Sequence, residues 1–196
     1  MVATAAMARV EVFASPGDTT PDHMLANPTK DGGPLVFLVK ERRPGWVMVF
    51  LPVRPNGSTG WVSESSLTLS QHDYRVEVRR GAHRLVVFKG ADIIVDVAVG
   101  IGTSQTPTPG GVFYITESIE ALDPTGPYGP YAFGLSGFSD QLESFNGGNG
   151  VIGIHGTNDP STVGTDVSHG CIRMTNDAIT SLVGLLPLGT PVRILA

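Results

Sequence analysis

About one residue in five is glycine or proline, 25 and 15 of 196. Proline removes a backbone donor and clashes inside a helix, and glycine loses the most chain entropy when a regular element fixes it. Spread along the whole chain, these residues cut it into short apolar runs that suit strands and turns better than long helices. Hydrophobic residues make up 41%, enough to bury a core, and the length suits one large domain or two small ones. Charge narrows the function classes. Thirteen Lys and Arg stand against 18 Asp and Glu, a net charge of −5, and no basic run occurs. A nucleic-acid or anionic-membrane partner therefore has no electrostatic footprint. No apolar stretch approaches the roughly 20 residues of a spanning helix, so no transmembrane segment is expected. The opening MVATAAMARVEVF lacks the basic-then-apolar layout of a signal peptide, so any export signal or anchor is expected to be missing from this sequence.

Two β-rich pieces are expected, with boundaries at 1–70 and 73–196. In the first, strands are expected at Leu35–Val39, Trp46–Phe50 and Gly60–Val62, separated by turn-rich segments such as Arg54-Pro55-Asn56-Gly57-Ser58. Trp46 and Trp61 read first as buried barrel aromatics and second as the lining of a groove. The run Gly60-Trp61-Val62-Ser63-Glu64-Ser65-Ser66-Leu67 resembles the last strands of bacterial SH3-like domains, which implies a small barrel with a wall-binding or regulatory role.

In the second piece, Tyr74–Arg79 and Arg84–Lys89 flank a hairpin turn, Arg80-Gly81-Ala82-His83. Ile93–Val99 lacks clean alternation and reads as a strand buried on both faces. Further strands are expected at Val112–Thr116, Val151–His155 and Pro191–Leu195. Ile179, Leu182, Val183 and Leu186 recur at helical spacing, with Asn176 as the cap and Pro187 and Gly189 as the stop. Between Ser118 and Gly150 no period is clear. Tyr128, Tyr131, Phe133, Phe138 and Phe145 lie there among Gly, Pro and Ser, and this reads as an aromatic lid over a cleft, with Tyr131 a substrate contact.

The chemistry concentrates near the C-terminus. The chain has a single cysteine, Cys171, so no internal disulfide can form. A lone Cys is by default a small buried hydrophobe, but its neighbours argue otherwise. Two histidines and this cysteine fall within seventeen positions, His155 to Cys171. A thiol needs a base or a nearby imidazolium to react as thiolate. His155 ends an apolar strand, which would hold it rigidly as that base, and the Gly156 carbonyl can fix its tautomer. Amides at Gly170 and Cys171 can bind a tetrahedral oxyanion. His169 and Arg173 lie two residues either side of Cys171 and, in extended chain, share its face. His169 can approach the sulfur, and Arg173 suits a substrate carboxylate.

His155-Gly156-Thr157 followed by Ser168-His169-Gly170-Cys171-Ile172-Arg173-Met174 resembles the signature of L,D-transpeptidase catalytic domains. Thr108-Pro109-Gly110-Gly111-Val112-Phe113-Tyr114-Ile115 is similar to the family's segment before its substrate loop. The resemblance implies a mainly β chain: a small SH3-like barrel, then a β-sandwich with a mixed sheet and one or two short helices. It implies cysteine acyl transfer on peptidoglycan stem peptides, with Cys171 as nucleophile, His155 as base oriented by Gly156, and Ser168, His169 and Gly170 completing the site. Thr157 and Arg173 would contact substrate. It further implies no cofactor and no metal, an exported periplasmic or wall-associated location, and covalent inhibition by carbapenem β-lactams. Some lineages of the family carry Ser after the first histidine, where this chain has Gly156.

Three rival readings stand beside this one. His155, His169 and Cys171 have the chemistry of zinc ligands, although no His-Glu-x-x-His helix is present. A cysteine hydrolase, an L,D-carboxypeptidase, would form the same acyl-enzyme and pass it to water; its papain-like version places Cys before His, the reverse of the order here. A non-enzymatic wall-binding module would have no use for the His–Gly–Cys constellation.

Overall fold

The computed structural model describes residues 1–144 and 148–196. Seven short strands form the first piece: β1 (Val2–Ala5), β2 (Arg9–Val12), β3 (His23–Ala26), β4 (Val36–Arg43), β5 (Trp46–Phe50), β6 (Thr59–Ser63) and β7 (Leu67–Ser70). Five of them make an antiparallel sheet in the order β6-β5-β4-β1-β7, and β2 and β3 form a separate ribbon. Alternation places Val47 and Val49 of β5 in a core shared with Val10, Val12, Phe37 and Val62. Trp61 is buried beneath the Arg43 guanidinium, and Trp46 meets Phe13 edge-on, so both tryptophans pack rather than line a groove.

The second piece carries β8 (Tyr74–Arg79), β9 (Arg84–Lys89), β10 (Asp92–Ala98), β11 (Ile101–Gly102), β12 (Gly111–Glu120), β13 (Tyr131–Phe138), β14 (Val151–His155), β15 (Asp166–Ser168), β16 (Ile172–Arg173), the helix α1 (Asn176–Val183) and β17 (Pro191–Leu195). Eight strands build a mixed sheet in the order β10-β9-β8-β17-β12-β13-β14-β16, parallel at β8–β17 and β14–β16. Leu85 and Val87, Phe113 and Ile115, and Ile152 and Ile154 bury the inner face under Ile179 and Leu182 of α1. The chain is mainly β, as expected.

The two pieces meet over a third apolar cluster, in which Val36, Leu38 and Phe50 pack against Tyr114 and Leu188. The Tyr114 hydroxyl donates to the Phe50 carbonyl at 3.2 Å. A fully buried tyrosine contributes roughly 1.5–3 kcal/mol of apolar burial once its hydroxyl is paired.

Three expectations require correction. Ile93–Val99 was expected to be buried on both faces, but β10 is an edge strand with Ile93 and Ile94 exposed, because only β9 flanks it. The helix is capped by Thr175, whose Oγ1 accepts from the Ala178 amide at 3.4 Å, whereas Asn176 turns its side chain to the Thr157 amide. Ser118–Gly150 is not one lid. β12 runs on to Glu120 and β13 takes Tyr131–Phe138 into the sheet, so the connection before β13 is only 121–130. Phe145 lies outside the described residues.

Candidate active site

Period-two alternation on β14 and β16 builds the site. Ile152, Ile154, Ile172 and Met174 point into the core, so Gly153, His155, Cys171 and Arg173 share the opposite face. The parallel register pairs Ile154 with Ile172 and His155 with Arg173, which brings Gly153 beside Cys171. Backbone bonds hold this arrangement: Met174 N donates to His155 O at 2.9 Å, and Gly100 and Arg173 exchange two bonds of 2.8 Å.

His155 Nδ1 lies 2.6 Å from the Gly156 carbonyl. A carbonyl only accepts, so Nδ1 carries the hydrogen and Nε2 presents its lone pair. The Tyr128 ring packs edge-on to the imidazole, with centroids 4.8 Å apart. Gly156 is itself positioned tightly. A Cβ there would fall 2.4 Å from Asn176 Oδ1, and one at Gly129, where φ is +63°, would fall 2.2 Å from the same atom. Only glycines allow the 121–130 connection to approach the His155 carbonyl partner this closely.

Ser168 braces the turn that carries Cys171. Its hydroxyl donates to Cys171 O at 2.6 Å and accepts the Gly170 amide at 3.1 Å, with Gly170 at φ +115°. The Gly170 amide, expected to serve an oxyanion, is therefore occupied by Ser168. The Gly153 amide, brought beside Cys171 by the β14–β16 register, favours the anionic form of the sulfur.

Burial sets the charges. It pushes the Cys171 thiol up, and the Gly153 amide and the Arg173 charge pull partly back. It holds His155 down to about 4, against the bond to Gly156 and with help from Arg173. Near neutrality the two groups are a thiol and a neutral imidazole, the form in which His155 can accept a proton as the expected base.

A cavity of about 170 Å³ is lined by Tyr128, His155, Ser168, His169, Cys171 and Arg173, and also by Ser139, Leu142 and Gly150. A cleft of about 680 Å³, lined by Lys30 and Asp31 of the first piece and Glu117 of β12, also reaches Cys171 and His155. Arg173 Nε is buried without a hydrogen-bond partner among the described residues. Two expected contacts lie elsewhere. Thr157 is buried and spends its hydroxyl on the Asp159 amide at 3.1 Å. Tyr131 packs against the core. Tyr128, not Tyr131, packs on His155 and lines this cavity. Among the described residues no three His, Cys, Asp or Glu side chains gather as a metal ligand set.

Residues 73–194 match the model of the YkuD L,D-transpeptidase catalytic domain. The chain belongs to that family. YkuD of Bacillus subtilis (strain 168), which bears the L,D-transpeptidase name provisionally, is 35% identical over 121 residues, 62% of this chain and 65% of its own length. The chain thus spans just under two thirds of that relative. An L,D-transpeptidase from Mycobacterium tuberculosis H37Rv superposes with a TM-score of 0.54 at 13% identity, over 82% of this chain and 93% of the other. Ldtfm, solved as its avibactam carbamoyl enzyme, superposes at 0.50 and 17% identity, over 98% and 75%. At these identities the two structures establish the fold alone.

Proposed function

We propose that this protein is a peptidoglycan L,D-transpeptidase in which Cys171 is the nucleophile and His155 the base. The observation that carries the proposal is the shared face of His155 and Cys171, with Nδ1 fixed by the Gly156 carbonyl so that Nε2 is free to accept. His155 Nε2 takes the thiol proton as the sulfur attacks the stem carbonyl that follows an L-centre. The tetrahedral oxyanion is met by the Cys171 backbone amide, since Ser168 occupies that of Gly170. The intermediate collapses with cleavage of the C–N bond, and His155 returns its proton to the departing D-residue amine. An acceptor amine, the side-chain amine of a second stem, then attacks the thioester. It gives its proton to His155, and the released thiolate recovers it. Arg173, with an unspent buried Nε, suits the carboxylate of the donor stem. His169, at the cavity mouth, contacts substrate.

The substrate class places this activity outside the cytoplasm, at the wall. The SH3-like reading of 1–70 rests on its short antiparallel strands, and its packing against β12 favours a fixed accessory part over a loose tether. Incubation with wall tetrapeptides, followed by mass spectrometry, tests the reading. Cross-linked dimers and loss of a D-residue are expected, and both should vanish in Cys171→Ala. Release of tripeptide alone would assign a carboxypeptidase. Turnover surviving in Cys171→Ala would sink the mechanism.

A further inference from the structure

The turn between β5 and β6 reaches from the first piece to the segment that walls the cavity over Cys171. Arg54 Nη1 donates to Ser139 O at 2.8 Å, and Nη2 donates to Leu142 O at 2.9 Å and Asn149 O at 3.2 Å. The same guanidinium stands 4.8 Å from the Phe138 ring centroid. Asn56 pairs with Phe138 as a neighbouring strand would. Its Oδ1 accepts from Phe138 N at 2.9 Å, and its Nδ2 donates to Phe138 O at 2.8 Å and to Asp140 Oδ1 at 3.0 Å. Beyond Phe138, the Ser139 amide donates to Gly150 O at 2.8 Å, and Ser139 Oγ accepts the amides of Gln141 and Leu142. Two side chains of the first piece therefore tie down both 138–142 and 149–150.

We propose that Arg54 and Asn56 are positioning residues of the acyl-transfer site. From the first piece, they hold the wall made by Ser139, Leu142 and Gly150 at the spacing a donor stem needs to present its carbonyl to Cys171. The inference rests on the acyl-transfer reading above. Leu142 lies outside the strands, and Ser139, just past the end of β13, keeps a backbone bond to Gly150, so side-chain bonds share in setting their place. A planar guanidinium with five donors can gather three carbonyls from distant positions in one geometry, which the single ammonium of a lysine does less well. Misplacement by about 1 Å at a reacting centre can lower rates by about 10²-fold, even when the altered residue is far from the chemistry.

The test uses the full chain with Arg54→Ala, Arg54→Lys and Asn56→Ala. Three quantities are read: amide hydrogen exchange over 138–142, alkylation of Cys171 by iodoacetamide, and kcat and KM on a wall tetrapeptide. In Arg54→Ala, exchange at Ser139 and Leu142 should rise and tetrapeptide kcat/KM should fall about tenfold or more, while alkylation, which needs no wall, moves less than about twofold. Arg54→Lys should recover part of the loss. Unchanged exchange overturns the proposal, as does raised exchange with full turnover, or an equal fall in alkylation and turnover. If Arg54→Ala does not fold, Asn56→Ala, which removes three hydrogen bonds and no charge, carries the same test with the same signs. A wild-type protein that leaves the tetrapeptide untouched would sink the acyl-transfer reading, and with it the role in transfer; the exchange measurement would still decide whether Arg54 fixes the wall.

Discussion

Acidification should destabilise the fold through His155. The imidazole is 3% exposed and is held to about 4, against an ordinary 6.5, chiefly because burial penalises the charged ring. In the unfolded chain the ring takes up a proton as pH falls through 6.5, whereas in the folded protein it resists until near 4. Between those values the unfolded state binds more protons. The contribution is therefore complete above the unfolded value and is lost as pH falls towards the folded one. At about 1.36 kcal/mol per unit, the loss across the window is about 3 kcal/mol. Urea midpoints of the wild type and His155→Gln, measured from neutral pH down to about 4, isolate it. Glutamine does not titrate, and its amide can still donate to the Gly156 carbonyl. Other titrating groups cancel in the difference, because distant sites add. Wild-type stability minus variant stability should fall by about 3 kcal/mol on acidification. Parallel curves would refute the burial argument, and a difference that grows would refute its sign.

Gly129→Ala would place a methyl 2.2 Å from Asn176 Oδ1 and 2.8 Å from Gly156 Cα at a φ of +63°. Stability should drop by about 1–3 kcal/mol in urea titration, and Cys171 acylation should slow because the His155 carbonyl partner must shift. Arg173→Gln should raise KM for carboxylate-bearing stems about tenfold or more, the worth of a lost charged hydrogen bond. It should also move the pH profile of iodoacetamide alkylation upward, since the Arg173 charge lowers the Cys171 thiol.

The proposed reacting pair was legible because its signals are local. His155 closes an apolar run, and Cys171 sits in a Ser-His-Gly-Cys block. Gly153 carried no such signal, because its place beside the sulfur arises from the β14–β16 register and not from its neighbours in sequence. β13 was missed for a related reason. Its sequence YAFGLSGF is diluted by Gly134 and Gly137, yet tertiary packing requires the second, since a Cβ at Gly137 would strike the Phe113 ring at 2.5 Å, and one at Gly134 would displace the Glu117 side chain, whose carboxylate lies 2.4 Å away. Local composition recorded the cost of those contacts without the contacts themselves. Tyr128 and Tyr131 looked alike in the same stretch. The turn at Gly129 separates them, so one packs on His155 and the other on the core.

The neutral resting pair constrains the mechanism. The same low-dielectric surroundings raise the thiol and lower the imidazole, so both shifts keep the proton on sulfur until something else changes. A thiol in this state reacts poorly with solvent oxidants and electrophiles, because the thiolate is the reactive form. In the proposed reaction, proton transfer then has to be driven by charge developing on the substrate carbonyl. The groups beside the reacting atoms fit that task. The Gly153 amide favours the sulfur as it becomes anionic, and the Arg173 charge lies in the same cavity. Each gains more from an anion than from a neutral thiol, so each favours the transition state over the resting state. His155, neutral and fixed in the Nδ1–H tautomer, can accept the proton without first losing one. The burial that makes Cys171 a weak acid at rest also makes these few donors effective once a stem peptide fills the cavity.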